Sequence, residues 1–141
     1  MADQRLVYAD PCDLDALRQA LADNDPEHKL CPIQMDRIYI QHKAIELLPD
    51  IVREHAKGPK VLMVTDATPY YRGERSLKEE IYFLLSRTYD VRWLVLDNHD
   101  HVLHAVDEES QKIQQAIREH KADCVVGIGG GTGTDLCQDA S

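Results

Sequence analysis

The spacing of apolar residues predicts alternating strands and helices along most of the chain. Apolar runs typical of buried strands occur in Lys60–Asp66, in Val91–Leu96 and from Cys124 onward. Between them, apolar residues recur with helical spacing in residues 77–85 and 108–120. Because strands that alternate with helices pair in parallel, the sequence predicts an α/β fold with a parallel sheet and flanking helices.

The start of the chain predicts a separate helix, in which Asp10-Pro11 would supply the cap and a first-turn proline. Its apolar stripe consists of Leu14, Leu17 and Leu21. The length of 141 residues and the hydrophobic content of 43% allow one compact core and leave no room for a second. We therefore predict a helical appendage over residues 1–30 and one α/β domain over residues 31–141, incomplete at its carboxyl end.

The net charge and the apolar runs limit which partners and which cellular compartment we predict. The net charge of −9 opposes binding to nucleic acids and to anionic membranes. No apolar run is long enough to span a bilayer, and Met1–Arg5 lacks the apolar core of a signal peptide. We predict a cytoplasmic protein without nucleic-acid or membrane partners. Its four cysteines show no C-x-x-C spacing and are expected to stay reduced, with Cys124 in the core.

The strongest functional signal is the glycine-rich segment Gly129–Asp135, which follows the strand that begins at Cys124. Glycines let the backbone turn sharply and approach a ligand, and the free N–H groups and positive dipole end of a following helix favour an anion. A nucleotide pyrophosphate is the expected ligand. The alternative is a tight turn whose glycines only pack against a neighbour.

Two common nucleotide motifs fit this segment poorly. Gly127-x-Gly129 begins the dinucleotide fingerprint G-x-G-x-x-G, but its sixth position is Thr132, and no acidic residue follows at the usual distance before Ser141. A P-loop needs a lysine, and residues 123–141 contain none. Neither motif explains the glycines.

The segment resembles the Gly-Gly-Gly-Ser/Thr-x-x-Asp loop of the metal-dependent dehydrogenases. That family includes glycerol dehydrogenase, iron-containing alcohol dehydrogenase and glycerol-1-phosphate dehydrogenase, and it is related in fold to dehydroquinate synthase. The resemblance implies a Rossmann-like amino-terminal domain. It also implies that Asp135 lies near the substrate. The implied cofactor contacts are Gly129, Gly130, Gly131 and Thr132.

Other segments extend the resemblance from about Arg37 to the end of the chain. Ile38–Ile40 and the helical run after it resemble the family's opening strand and helix, and Lys60–Asp66 resembles its second strand. Val102–Glu108 is similar to a segment of the glycerol-1-phosphate branch. The family usually has lysine or arginine where Gln138 stands.

Asp66 is the second candidate cofactor residue. A carboxylate at a strand end can accept the ribose hydroxyls of NAD and repel the 2′-phosphate of NADP, so NAD is favoured over NADP. The alternative is a turn aspartate before Thr68-Pro69. Because ligands collect at the carboxyl ends of parallel strands, we expect Asp66 and the segment Gly129–Asp135, the glycine loop, at one sheet edge.

The resemblance implies the NAD(P)-binding part of a metal-dependent dehydrogenase that transfers hydride between a polyol, or a polyol phosphate, and nicotinamide. In that family a helical second half supplies the ligands of zinc or iron, so this chain is expected to be inactive alone. We assign no catalytic residue or metal ligand, and we interpret the histidine cluster in residues 99–104 as a polar loop. A dehydroquinate-synthase-like lyase fragment, a non-catalytic nucleotide-binding or interaction module, and a homo-oligomer stay open.

Overall fold

The computed structural model describes residues 10–98 and 107–141. The helices are α1 (Leu14–Asn24), α2 (Leu48–His55), α3 (Leu77–Ser86), α4 (Asp107–His120) and α5 (Gly131–Ala140). The strands are β1 (Lys60–Asp66), β2 (Tyr71–Arg72), β3 (Arg75–Ser76), β4 (Asp90–Leu96) and β5 (Cys124–Ile128). The chain divides into two compact units, one that ends at Ala44 and one over Ile45–Ser141.

The larger unit contains a parallel sheet in the order β4-β1-β5 among the described residues. The register runs from Lys60 opposite Asp90 to Asp66 opposite Leu96, and Thr65 lies opposite Ile128 at the end of β5. The predicted α/β class and its three main strands are confirmed. The short hairpin β2-β3 was not predicted.

Strand β1 is the centre of this unit because both of its faces are buried. Successive side chains of a strand point to opposite faces. One face carries Val61 and Met63 into a core with α2 and α3, and the other carries Leu62 and Val64 into a core with α4 and α5. The result is a sheet between two helical layers. This arrangement explains why the whole of β1 is apolar apart from its ends.

The connections set the place where a ligand can bind. Helix α3 connects β1 to β4 on one face, whereas α4 connects β4 to β5 on the other, so the chain leaves β1 in one direction and returns past it to the opposite side. The order of strands therefore reverses between β1 and β5. Open α/β sheets bind ligands at such a reversal, outside the carboxyl ends of the strands.

Helix α3 starts at its predicted residue, whereas α1 does not. Helix α3 begins as predicted, with the Ser76 hydroxyl accepting a hydrogen bond from the Glu79 amide at 3.4 Å. Helix α1 begins later than predicted, because the Asp13 carboxylate accepts from the Ala16 amide at 3.0 Å and acts as the cap. The prediction of Asp10-Pro11 as cap and first turn was wrong, since the Asp10 carboxylate accepts from the Cys12 amide within the preceding turn.

The predicted opening strand at Ile38–Ile40 was also wrong. These residues lie in the smaller unit and form neither strand nor helix, and Ile40 is largely exposed. Strand conformation needs a neighbouring strand for its backbone hydrogen bonds, and three apolar residues cannot indicate whether one is present. The run after them is helical, as a 3-10 turn over Ala44–Leu47 and then α2. Cys124 packs at the edge of the core and is only half-buried.

Candidate functional site

The carboxyl ends of β1 and β5 bring the two predicted cofactor segments to one sheet edge. Thr65 and Ile128 are paired across the strands, so Asp66 and Gly129 are the next residues on each side. This edge also lies at the reversal of strand order. The expectation that Asp66 and the glycine loop share an edge is confirmed, although their roles in binding stay predictions.

The glycine loop leads directly into α5. Gly130 is the residue before the helix, in extended conformation and without a side-chain cap. The first backbone bond of the helix runs from the Thr134 amide to the Gly130 carbonyl at 3.1 Å. The three preceding amides, on Gly131 to Gly133, therefore have no acceptor inside the helix. Together with the helix dipole, they form a local electropositive end.

The space above this loop is open. A Cβ at Gly130 or at Gly131 would meet no atom within 4 Å, and a Cβ at Gly129 would meet only the Gly133 Cα at 4.0 Å. None of the three has a positive φ. Neither packing nor backbone conformation therefore requires glycine at these positions. A ligand that must approach the backbone closely does require it, because a side chain would occupy that space.

Gly127 differs from the loop glycines. A Cβ there would lie 2.9 Å from the Sγ of Cys137, so this glycine allows α5 to pack closely on β5. Burial raises the pKa of the Cys137 thiol, which keeps it protonated as a packing group. The Gly127 position is thus explained by packing, as the alternative interpretation required. The same interpretation does not explain Gly129 to Gly131.

Asp66 forms a nearly buried ion pair at the end of β1. Its carboxylate lies 2.8 Å from the Nζ of Lys78, and the two side chains are only 11% and 7% exposed. Burial would raise the pKa of Asp66, but hydrogen bonds from Lys78 and Thr68 and the charge of Lys78 outweigh it and hold the pKa below its ordinary value. The Thr68 contacts agree with the alternative of a turn aspartate.

Lys78 is a residue that the sequence analysis missed. Its Nζ donates to the carboxylate of Asp66 and to the backbone carbonyls of Asp66 and Thr68, both at 2.5 Å, and lies 4.9 Å from the centre of the Tyr70 ring. One signal could have found it. Lys78 stands in the first turn of α3, where the helix dipole disfavours a cation, so its position requires anionic partners nearby.

The remaining predicted residues lie on α5. Thr132 is half-buried in its first turn, and Asp135 is exposed one turn further along. The structure therefore gathers Gly129 to Thr132 and Asp66 at the edge, and places Asp135 on the helix that leaves it.

Neither a metal centre nor a membrane span is found in the part of the chain that the structure describes. Within residues 10–98 and 107–141, no group of three or more His, Cys, Asp or Glu residues could hold a metal ion. The histidine cluster and most of Val102–Glu108 lie outside these residues. The helices within the same ranges are too short or too polar to cross a bilayer.

Comparison with known proteins agrees with the α/β fold and shows the family of this chain. Residues 39–141 match the family described as iron-containing alcohol dehydrogenase. Over 101 residues, the chain is 27% identical to the glycerol-1-phosphate dehydrogenase [NAD(P)+] of Thermoplasma volcanium, a match that covers 72% of this chain and 26% of that protein. The chain thus spans about a quarter of the length of this relative. No solved structure matches the chain significantly.

Proposed function

Because the chain belongs to the iron-containing alcohol dehydrogenase family, we propose that its α/β unit binds NAD or NADP for a polyol dehydrogenase. The observation that carries the proposal is the open glycine loop at the reversal of strand order. Gly129, Gly130 and Gly131 have no packing role, and the amides of residues 131–133 have no helical acceptor. An anionic ligand that touches the backbone accounts for both features.

Each part of the edge has a separate task in this proposal. The amides at the start of α5 bind the pyrophosphate, Gly129 to Gly131 leave the room that it needs, and Thr132 contacts the cofactor beside them. The Asp66 carboxylate, an anion near neutral pH, accepts hydrogen bonds from the adenosine ribose. Asp135 lies further along α5 on the substrate side. When bound, NAD or NADP supplies the acceptor or donor of the hydride.

The relative from Thermoplasma volcanium favours a polyol phosphate as the substrate of a complete enzyme. In that enzyme, zinc or iron would polarise the alcohol. The described residues offer no cluster that fits such a metal. We accordingly expect this chain alone to bind the cofactor without oxidising an alcohol.

Isothermal titration with NAD tests the proposal when wild type and Gly130→Val are compared. Valine adopts the extended conformation of Gly130 without strain, and the space around it accepts the side chain. We expect this variant to lose NAD affinity by about a hundredfold or more while its circular dichroism stays unchanged, because the side chain occupies the place of the pyrophosphate.

Ser86→Val is the matched control, since it adds a similar side chain at an exposed position at the end of α3. It should bind NAD like the wild type. A wild-type chain that binds neither NAD nor NADP, or a Gly130→Val variant with unchanged affinity, would refute the proposed role of the loop.

A further inference from the structure

Lys78 occupies a costly position for a lysine. It is 5% exposed and stands at the amino end of α3, where both burial and the helix dipole oppose a positive charge. The Asp66 carboxylate, two backbone carbonyls and the Tyr70 ring offset this cost. All of these groups belong to Asp66, the last residue of β1, or to Thr68 and Tyr70 shortly after it, at the sheet edge that we assign to the cofactor.

The ion pair changes what a ligand meets at the end of β1. An isolated carboxylate would attract the ribose hydroxyls of NAD and repel the 2′-phosphate of NADP. Here the Lys78 ammonium lies 2.8 Å from the carboxylate in a poorly exposed site, so the two charges largely cancel at the distance of a bound ribose. The hydrogen-bonding oxygens remain, whereas the repulsion is reduced.

We propose, on the basis of the cofactor site assigned above, that Lys78 is a positioning residue that sets the balance between NAD and NADP. It fixes the Asp66 carboxylate for the ribose and offsets its charge, and thereby narrows the preference for NAD that Asp66 alone would impose. Lys78 does this without contact to the cofactor, because its ammonium is enclosed by protein.

A purely structural clamp would have a different signature. If Lys78 only held the segment Asp66–Tyr70 in shape, its removal would weaken NAD and NADP equally. Charge compensation instead predicts a change in the ratio of the two affinities, and predicts opposite changes when either partner of the ion pair is neutralised.

The experiment measures the affinities of the full chain for NAD and NADP by isothermal titration. Lys78→Met should lower the affinity for NADP about tenfold relative to NAD, because the carboxylate is then uncompensated. Asp66→Asn should raise the affinity for NADP relative to NAD, because Lys78 keeps a neutral acceptor and its positive charge is left over. Lys78→Arg should restore the wild-type ratio, since it keeps the charge.

The same variants are titrated with adenosine 5′-monophosphate and adenosine 2′,5′-bisphosphate, which differ only in the 2′-phosphate. Their ratio should change in the same directions. If Lys78→Met fails to fold, Asp66→Asn carries the test, and an unchanged ratio in that variant overturns the inference. Equal losses for both cofactors in folded Lys78→Met overturn the inference alone. A wild-type chain that binds neither cofactor overturns the proposed function as well.

Discussion

Gly58, before the amino end of β1, and Gly130, after the carboxyl end of β5, have opposite surroundings. At the amino edge, the Asp123 carboxylate accepts from the Lys60 amide at 3.0 Å, and the Asp123 amide donates to the Lys60 carbonyl at 2.7 Å. A Cβ at Gly58 would lie 2.4 Å from this carboxylate. At the carboxyl edge, a Cβ at Gly130 would meet nothing within 4 Å. Gly58 therefore makes room for the Asp123 side chain, whereas the space at Gly130 is open.

The role of a glycine can therefore be inferred only from the atoms that surround it. A Cβ at Gly58 would overlap the Asp123 carboxylate and one at Gly127 would overlap the Cys137 thiol, so packing explains both glycines. Gly129 to Gly131 have neither close neighbours nor a positive φ. The first kind should affect the free energy of unfolding, and the second kind should affect ligand binding.

The largest effect on stability is expected at Gly127. Gly127→Val should lower the free energy of unfolding by about 3 kcal/mol, because its side chain overlaps the Cys137 thiol between β5 and α5. Guanidinium denaturation measures this loss, with Gly130→Val as the control that should stay within about 0.5 kcal/mol of wild type. Equal losses in the two variants would remove the distinction between packed and open glycines.

A smaller effect is expected at Gly58. Gly58→Ala should cost about 1 kcal/mol, because the Cβ displaces the Asp123 carboxylate from the Lys60 amide. Alanine also restricts the unfolded chain, which by itself would stabilise the protein by about 0.4–1 kcal/mol. A net stabilisation in urea denaturation would therefore show that the space around Gly58 accepts a Cβ without displacing Asp123.

The smallest effect is the pH dependence that Asp66 contributes. Its pKa is lower in the folded chain than its ordinary value of 3.8, so its ion pair stabilises the fold above that pH. The contribution is lost as the pH falls through the lower, folded pKa. Urea midpoints measured from pH 6 down to pH 3 should therefore fall more steeply for wild type than for Asp66→Asn. Parallel curves would mean that the carboxylate gains nothing from Lys78 on folding.

The sequence predicts those parts of the fold that are determined by local apolar pattern. The bounds of β1 agree with the prediction because a strand buried on both faces is a continuous apolar run with polar ends. Ile38–Ile40 has a similar composition, yet its conformation depends on a neighbouring strand that the sequence cannot indicate.

The candidate site was predicted only in part, for a related reason. Gly127 and Gly130 are both glycines of one short segment. Only Gly127 is needed for packing, because α5 folds back on β5 and brings Cys137 next to it. The hydrogen-bond partners of Lys78 are the end of β1 and the loop after it, 12 and 10 residues earlier, and no spacing rule connects them. Sequence patterns therefore miss residues whose role depends on contacts with distant parts of the chain.

The central claim is that the open end of α5 binds the pyrophosphate of a dinucleotide. A titration of the isotopically labelled chain with NAD, followed by amide ¹H–¹⁵N NMR, tests it directly. The account predicts that the largest shifts fall on the amides of Gly129 to Gly133, while Gly58 and Asp123 at the amino edge stay unchanged. Saturable shifts that avoid the glycine loop, or no shifts at millimolar NAD, would contradict it.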